Sequence, residues 1–142
     1  MAELAIYLAA PLFTAAERAW NTELATAVRA AFPAAQVRVP QEFCACHDGA
    51  DQVDYGAIFA DCCAHLAGST HVLAVLDGAD ADSGTSWEIG YAYARGIPVI
   101  GLRTDWRPGE DGGANAMLTR SCRALSTSVE DAIAKLGAVI AG

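Results

Sequence analysis

Short apolar runs alternate along this chain with longer stretches in which large apolar residues recur every three or four positions. Leu4–Ala9 is an apolar run stopped by Pro11 and predicts a buried strand. From Thr14 to Ala31, Trp20, Leu24 and Val28 recur at intervals of four, which predicts one face of a helix. Gln36–Pro40 predicts a second short strand, ended by proline. A polar stretch carrying Cys44 to Asp51 follows. Beyond it, a helix from about Asp54 to Leu66 sets Ile58, Cys62 and Leu66 on one side. His71–Leu76 is the most strand-like run and predicts a strand covered on both faces.

After a turn crowded with Asp and Gly, Ser86–Arg95 predicts a helix closed by Gly96, at a position that favours a left-handed backbone. Ile97–Leu102 predicts a further strand. Thr127-x-x-Glu130 has the form of a capping box for a last helix, with Val129, Ile133, Leu136 and Ile140 on one face. Strand and helix alternate throughout, and no linker or repeat interrupts residues 1–142. The expectation is one domain, a doubly wound α/β fold of the flavodoxin/Rossmann-like kind. Its sheet is parallel, with helices on both faces. In such sheets ligands lie beyond the carboxyl ends of the strands.

The composition narrows the function. With 142 residues, 54% hydrophobic and 18% charged, the chain is long and apolar enough to bury a core. Nine Lys and Arg against 17 Asp and Glu give a formal charge of −8. That balance argues against nucleic acid or an anionic membrane as partner. The early apolar stretch, Leu4–Phe13, is too short to span a bilayer, and acidic Glu3 flanks it, unlike a secretion signal. Five cysteines, Cys44, Cys46, Cys62, Cys63 and Cys122, fit no disulfide framework and predict a reducing, cytoplasmic setting. Cys44-Ala-Cys46-His47 and Cys62-Cys63-Ala-His65 lack the spacing that wraps a tetrahedral zinc, so no metal is expected.

The chemistry concentrates in Asp77–Gly90, where Asp77, Asp80, Asp82 and Glu88 lie within one loop and the start of a helix. Two readings of Glu88 stand side by side. Thr85-x-x-Glu88 has the form of a capping box, a structural role. Alternatively, a carboxylate in the first turn of a helix is held ionised by the helix dipole and is suited to nucleophilic attack on a sugar carbon. Asp82 then offers a second carboxyl as proton donor. No Gly-rich phosphate cradle and no Gly-x-Ser-x-Gly elbow is present. Phe13, Trp87 and Tyr91 are candidates for an aromatic wall or for core.

Four separated segments resemble the nucleoside 2-deoxyribosyltransferase family over almost the full length. They are Ile6-Tyr7-Leu8-Ala9-Ala10-Pro11-Leu12-Phe13, Pro40-Gln41, Asp82-Ser-Gly84-Thr-Ser-Trp-Glu88-Ile-Gly90, and Asn115-Ala-Met117. The resemblance implies Glu88 as nucleophile at C1′ of a 2′-deoxyribonucleoside, Tyr7 orienting it, and Asp82 helping protonate the departing base. It also implies that Asp77 assists at the same edge, Asp61 contacts base or sugar, and Gln41 binds the base. Phe13 and Gly84 would line the substrate site. Asn115 would reach the 5′-hydroxyl of a neighbouring subunit's substrate, with Met117 packing nearby, so a homo-oligomer is implied. The substrates would be deoxyribonucleosides and free nucleobases, with no cofactor.

The chain departs from that pattern in the Cys44–Asp51 segment, in the Gly-rich stretch Trp106–Gly113, which reads as mobile, and in the short tail Ala141-Gly142. Two rivals remain at this stage. One is a hydrolase of deoxynucleoside 5′-monophosphates on the same fold, and the other a non-catalytic nucleotide-binding module.

Overall fold

The computed structural model describes residues 2–44 and 53–142. The readings that involve Cys46, His47 and Asp51 therefore lie outside the described residues. Five strands, β1 (Ala5–Ala9), β2 (Gln36–Arg38), β3 (His71–Val75), β4 (Val99–Leu102) and β5 (Ala124–Ser126), form one parallel sheet in the order β2-β1-β3-β4-β5. Tyr7 pairs with Val72, and Leu73 with Ile100. Among the described residues six α-helices flank it: α1 (Ala15–Ala31), α2 (Pro40–Phe43), α3 (Tyr55–Ala67), α4 (Ser83–Ala94), α5 (Ala116–Thr119) and α6 (Val129–Ala141).

Side chains alternate across each strand, so the buried sheet feeds two cores. Ile6, Leu8, Leu73, Val75, Ile100 and Leu102 pack against Leu24 and Val28 of α1 and Leu136 of α6. On the opposite face, Tyr7, Ala9, Val72, Ala74 and Val99 pack against Leu66 of α3 and Ile89 and Ala92 of α4. The doubly wound expectation is met. From β1 the chain runs outward to β2, then crosses back over β1 to reach β3. Connections at the carboxyl ends of β1 and β3 therefore diverge, and a crevice opens between them.

Several boundaries differ from the sequence expectation. Helix α4 begins at Ser83 rather than Ser86, because Asp82 is its N-cap and accepts the Thr85 N–H at 2.8 Å. Thr85 is a buried residue inside the first turn, and Glu88 lies in the second. The capping-box reading of Glu88 is thereby overturned, and so is its placement at the helix dipole. The last helix is capped one residue later than expected, by Ser128, whose hydroxyl accepts the Asp131 N–H at 3.2 Å. Strand β5 was not foreseen: its three residues, Ala-Leu-Ser, carry no strand-like run, and pairing with β4 defines it.

The stretch expected to be mobile contains a 3-10 turn at Asp111–Gly113 and is fastened at several points. Asp111 accepts from the Arg120 guanidinium at 2.7 and 2.9 Å and from the Thr119 hydroxyl. Gly113, at φ +106°, lies so close to Arg103 that a Cβ there would stand 2.6 Å from Nε.

Candidate active site

The crevice at the β1/β3 switch is a cleft of about 570 Å³. The loop after β1 supplies Ala10, Leu12 and Phe13, and α2 supplies Gln41, with Cys44 at its end. Helix α3 contributes Ile58 and Cys62, and the head of α4 brings Asp82, Gly84, Thr85 and Glu88. Each of these segments sits there because its strand ends there.

At the floor, the Tyr7 hydroxyl donates to Glu88 Oε1 at 2.6 Å. Tyr7 is central in the sheet and fully buried, so its ring is fixed by the core and only its hydroxyl reaches the site. Burial pushes the Glu88 carboxyl up to about 7. The Tyr7 hydrogen bond opposes that rise, and the Asp82 charge adds to it. Tyr7 is itself pushed well above the ordinary phenol range, chiefly by burial and then by the Glu88 charge, so it remains a donor. A half-buried carboxyl poised near neutrality, with one oriented donor, is a nucleophile or a proton carrier. It is not the dipole-held carboxylate expected from the sequence.

The other predicted residues divide. Asp82 lines the cleft, and its Oδ2 accepts both the N–H and, at 3.1 Å, the hydroxyl of Thr85. Gly84 lies beside it, where a Cβ would stand 3.2 Å from Asp82 Oδ2. Phe13 stands on the rim, exposed. Gln41 faces the cleft while its amide is tied to α1. Its Nε2 donates to the Arg18 carbonyl at 3.0 Å and to Thr22 Oγ1 at 3.2 Å, and its Oε1 accepts from buried Asn21 at 3.0 Å.

Asp77, Asp61, Asn115 and Met117 do not line this cleft. Asp77 binds the loop after β4, accepting from the Thr104 and Asp105 N–H groups and the Thr104 hydroxyl at 2.6–2.9 Å. Asp61 is on α3, half-buried. Asn115 caps α5 by accepting the Met117 N–H at 2.9 Å, and Met117 is exposed. Neither Trp87 nor Tyr91 lines the cleft; Trp87 is exposed, whereas Tyr91 is half-buried and packs against the second core. Their rings stack at 5.5 Å, with Phe59 edge-on to Trp87 at 5.6 Å.

Sequence reasoning missed Asn21, Thr85 and the position of Cys44 and Cys62. Nothing in the local pattern marks them; tertiary packing alone carries them to the site. Among the described residues, no group of three His, Cys, Asp or Glu is placed to hold a metal ion. Among the same residues, no helix is long and apolar enough to cross a membrane.

Fold and cleft together describe an α/β protein with a tyrosine-bound carboxyl beyond the carboxyl ends of its central strands. Comparison with known proteins makes the class specific. Residues 6–130 match the nucleoside 2-deoxyribosyltransferase family, and the chain belongs to that family. Similar solved structures include a conserved protein of Enterococcus faecalis V583, 28% identical, with a TM-score of 0.82 over 96% of this chain and 99% of that one. A 2-deoxyribosyltransferase of Bacillus psychrosaccharolyticus is 24% identical, with a TM-score of 0.71 over 89% and 88% of the two chains. A CMP N-glycosidase of Clostridium botulinum is 15% identical, with a TM-score of 0.58 over 95% and 98%. No curated protein sequence matches the chain.

Proposed function

We propose that this protein exchanges the base of 2′-deoxyribonucleosides through a covalent sugar ester on Glu88. The observation that carries the reading is the 2.6 Å hydrogen bond from Tyr7 to Glu88 at the cleft floor. It leaves the second carboxylate oxygen, Oε2, to attack C1′. The C1′–N bond breaks, its electron pair leaves with the base, and Asp82, which also lines the cleft, delivers the proton. A second base then attacks C1′ from the face the first one left, giving its proton back to Asp82. The ester bond breaks, Glu88 is regenerated, and the configuration is retained after two displacements. Water in place of the second base gives slow hydrolysis.

In this reading Gln41 and Phe13, which line the cleft, would meet the base, and Gly84 leaves room beside Asp82. Asn115 and Met117, exposed and away from the chain's own cleft, suit donation to a neighbouring subunit's 5′-hydroxyl, as part of a homo-oligomer. Against the 5′-monophosphate hydrolase reading, the one cation lining the cleft among the described residues, Arg18, is tied through Nη1 to the Leu12 and Phe13 carbonyls at 3.2 and 2.7 Å.

The test is chromatographic. Deoxyinosine or thymidine is incubated with and without adenine, and Glu88→Ala is run in parallel. Deoxyadenosine formed by the unaltered protein alone supports the reading. Free base with no exchange product, above all from deoxynucleoside monophosphates, overturns it in favour of hydrolysis. No product from any of these substrates points to a binding module.

A further inference from the structure

The cleft wall carries two thiols that the exchange reaction does not use. Cys44, at the end of α2, and Cys62, in the middle of α3, bring their sulfurs to 3.7 Å across 18 residues of chain. Both line the cleft. Cys44 is buried and Cys62 half-buried, so the cleft is the route by which a small reagent meets the pair. Cys62 also interacts with the Tyr7 hydroxyl, the group that holds Glu88. A disulfide has its sulfurs about 2.05 Å apart, so closure needs an approach of about 1.7 Å, within reach of side-chain rotation and a small helix shift.

We propose that Cys44 and Cys62 are a reversible modification site, a dithiol that low-molecular-weight disulfides oxidise to an intramolecular disulfide, closing down the active-site cleft. The chemistry balances without a further reactant. One cysteine loses its proton and its thiolate attacks a sulfur of the small disulfide, expelling one small thiol and forming a mixed disulfide. The second cysteine loses its proton and attacks the protein sulfur of that bond, expelling the second small thiol. Two protein thiols are oxidised and one small disulfide is reduced to two thiols. Drawing Cys62 toward Cys44 takes it away from Tyr7 and rearranges the wall beside Glu88. Burial holds the Cys62 thiol above its ordinary range, so the reaction quickens as pH rises above neutrality.

The crosslink stands on geometry alone, whereas its effect on turnover rests on the base-exchange reading. Two readouts keep the two apart. The unaltered protein is treated with oxidised glutathione, digested without reduction, and mapped by mass spectrometry. A Cys44–Cys62 linked peptide is expected, lighter by about two hydrogens than its reduced parts. It should form faster at pH 9 than at pH 7, disappear with dithiothreitol, and be slowed by a deoxyribonucleoside in the cleft. Cys63→Ser retains this crosslink, and Cys44→Ser or Cys62→Ser abolishes it. Exchange activity should fall at least about ten-fold on oxidation and return on reduction. Linkage of either cysteine to Cys46, Cys63 or Cys122 instead overturns the proposal, as does persistence of both thiols while Cys122 is modified. A Cys44–Cys62 bond with undiminished exchange overturns the closure. If the protein shows no exchange before oxidation, the function reading fails, and the peptide map still decides the crosslink.

Discussion

Two carboxyl groups near the carboxyl end of β3, Asp77 and Glu88, have opposite surroundings. Asp77 follows the strand directly and accepts three hydrogen bonds at 2.6–2.9 Å from Thr104 and Asp105. Glu88 is a helical turn into α4, half-buried, with Tyr7 as the donor to its carboxyl. Asp77 has donors that fix its carboxyl in place, and it ties two loops together. Glu88 has lost water without gaining an equivalent set of donors, and its carboxyl is pushed up to about 7. Proximity to a cleft in sequence therefore does not make a carboxyl reactive; incomplete solvation by the protein does.

The sharpest way to break this contrast is to remove the two groups in turn. Glu88→Gln should lower kcat for base exchange by about 10³-fold or more, the scale seen when a covalent nucleophile is lost, as single-turnover kinetics would register. Asp77→Asn should leave kcat within a few-fold while lowering stability by about 1–3 kcal/mol, measured by denaturant unfolding. Equal losses of activity in both variants would put Asp77 in the reaction and erase the distinction.

Tyr7→Phe is the next step down. It should reduce kcat by about 10–100-fold, the scale of a lost oriented hydrogen bond in a site. Because that hydrogen bond lowers the Glu88 pKa, its removal should also move the acid limb of the kcat/KM profile to higher pH. In the unaltered protein that limb should rise through about pH 7 as Glu88 ionises.

A gentler test is stability against pH. A carboxyl whose folded pKa lies above its unfolded value stabilises the fold at pH below the unfolded value, near 4.5. That contribution is lost as pH rises through about 7. Unfolding of the unaltered protein should therefore become easier over that window relative to Glu88→Gln, by roughly 1–3 kcal/mol. At the low end stands the Arg107–Asp105 pair on the loop after β4, with an exposed guanidinium: Arg107→Ala should leave the denaturant midpoint nearly unchanged.

Much of this organisation was legible in the sequence, for identifiable reasons. The runs around Ile6, Leu73 and Ile100 are apolar on both faces, which a buried parallel strand requires, and helix faces such as Leu24–Val28 announce the core they meet. The pairing of Tyr7 with Glu88 was legible only through family resemblance, since 81 residues separate them and no local rule links them. Short elements escaped. β5 is Ala-Leu-Ser, with nothing in its composition to mark a strand, and α2 is a single turn opened by Pro40. Cap positions failed where rival acceptors stood side by side. Thr85 with Glu88 has the form of a cap, but Asp82 takes the Thr85 N–H instead, and Ser128 displaces Thr127 in the same manner. The polar network that holds Gln41 was hidden because Asn21 is an unremarkable residue in a helical stretch until it is buried.

Tyr7 belongs at once to the centre of the sheet and to the floor of the cleft. Most of the other cleft walls come from loops and helix ends, which can accept new residues with little disturbance to the fold. The orientation of the reacting carboxyl, by contrast, depends on a strand residue that cannot move without the core. Changes in substrate preference are therefore free to accumulate around a fixed chemical step, and loss of that step by heat should coincide with loss of the fold itself.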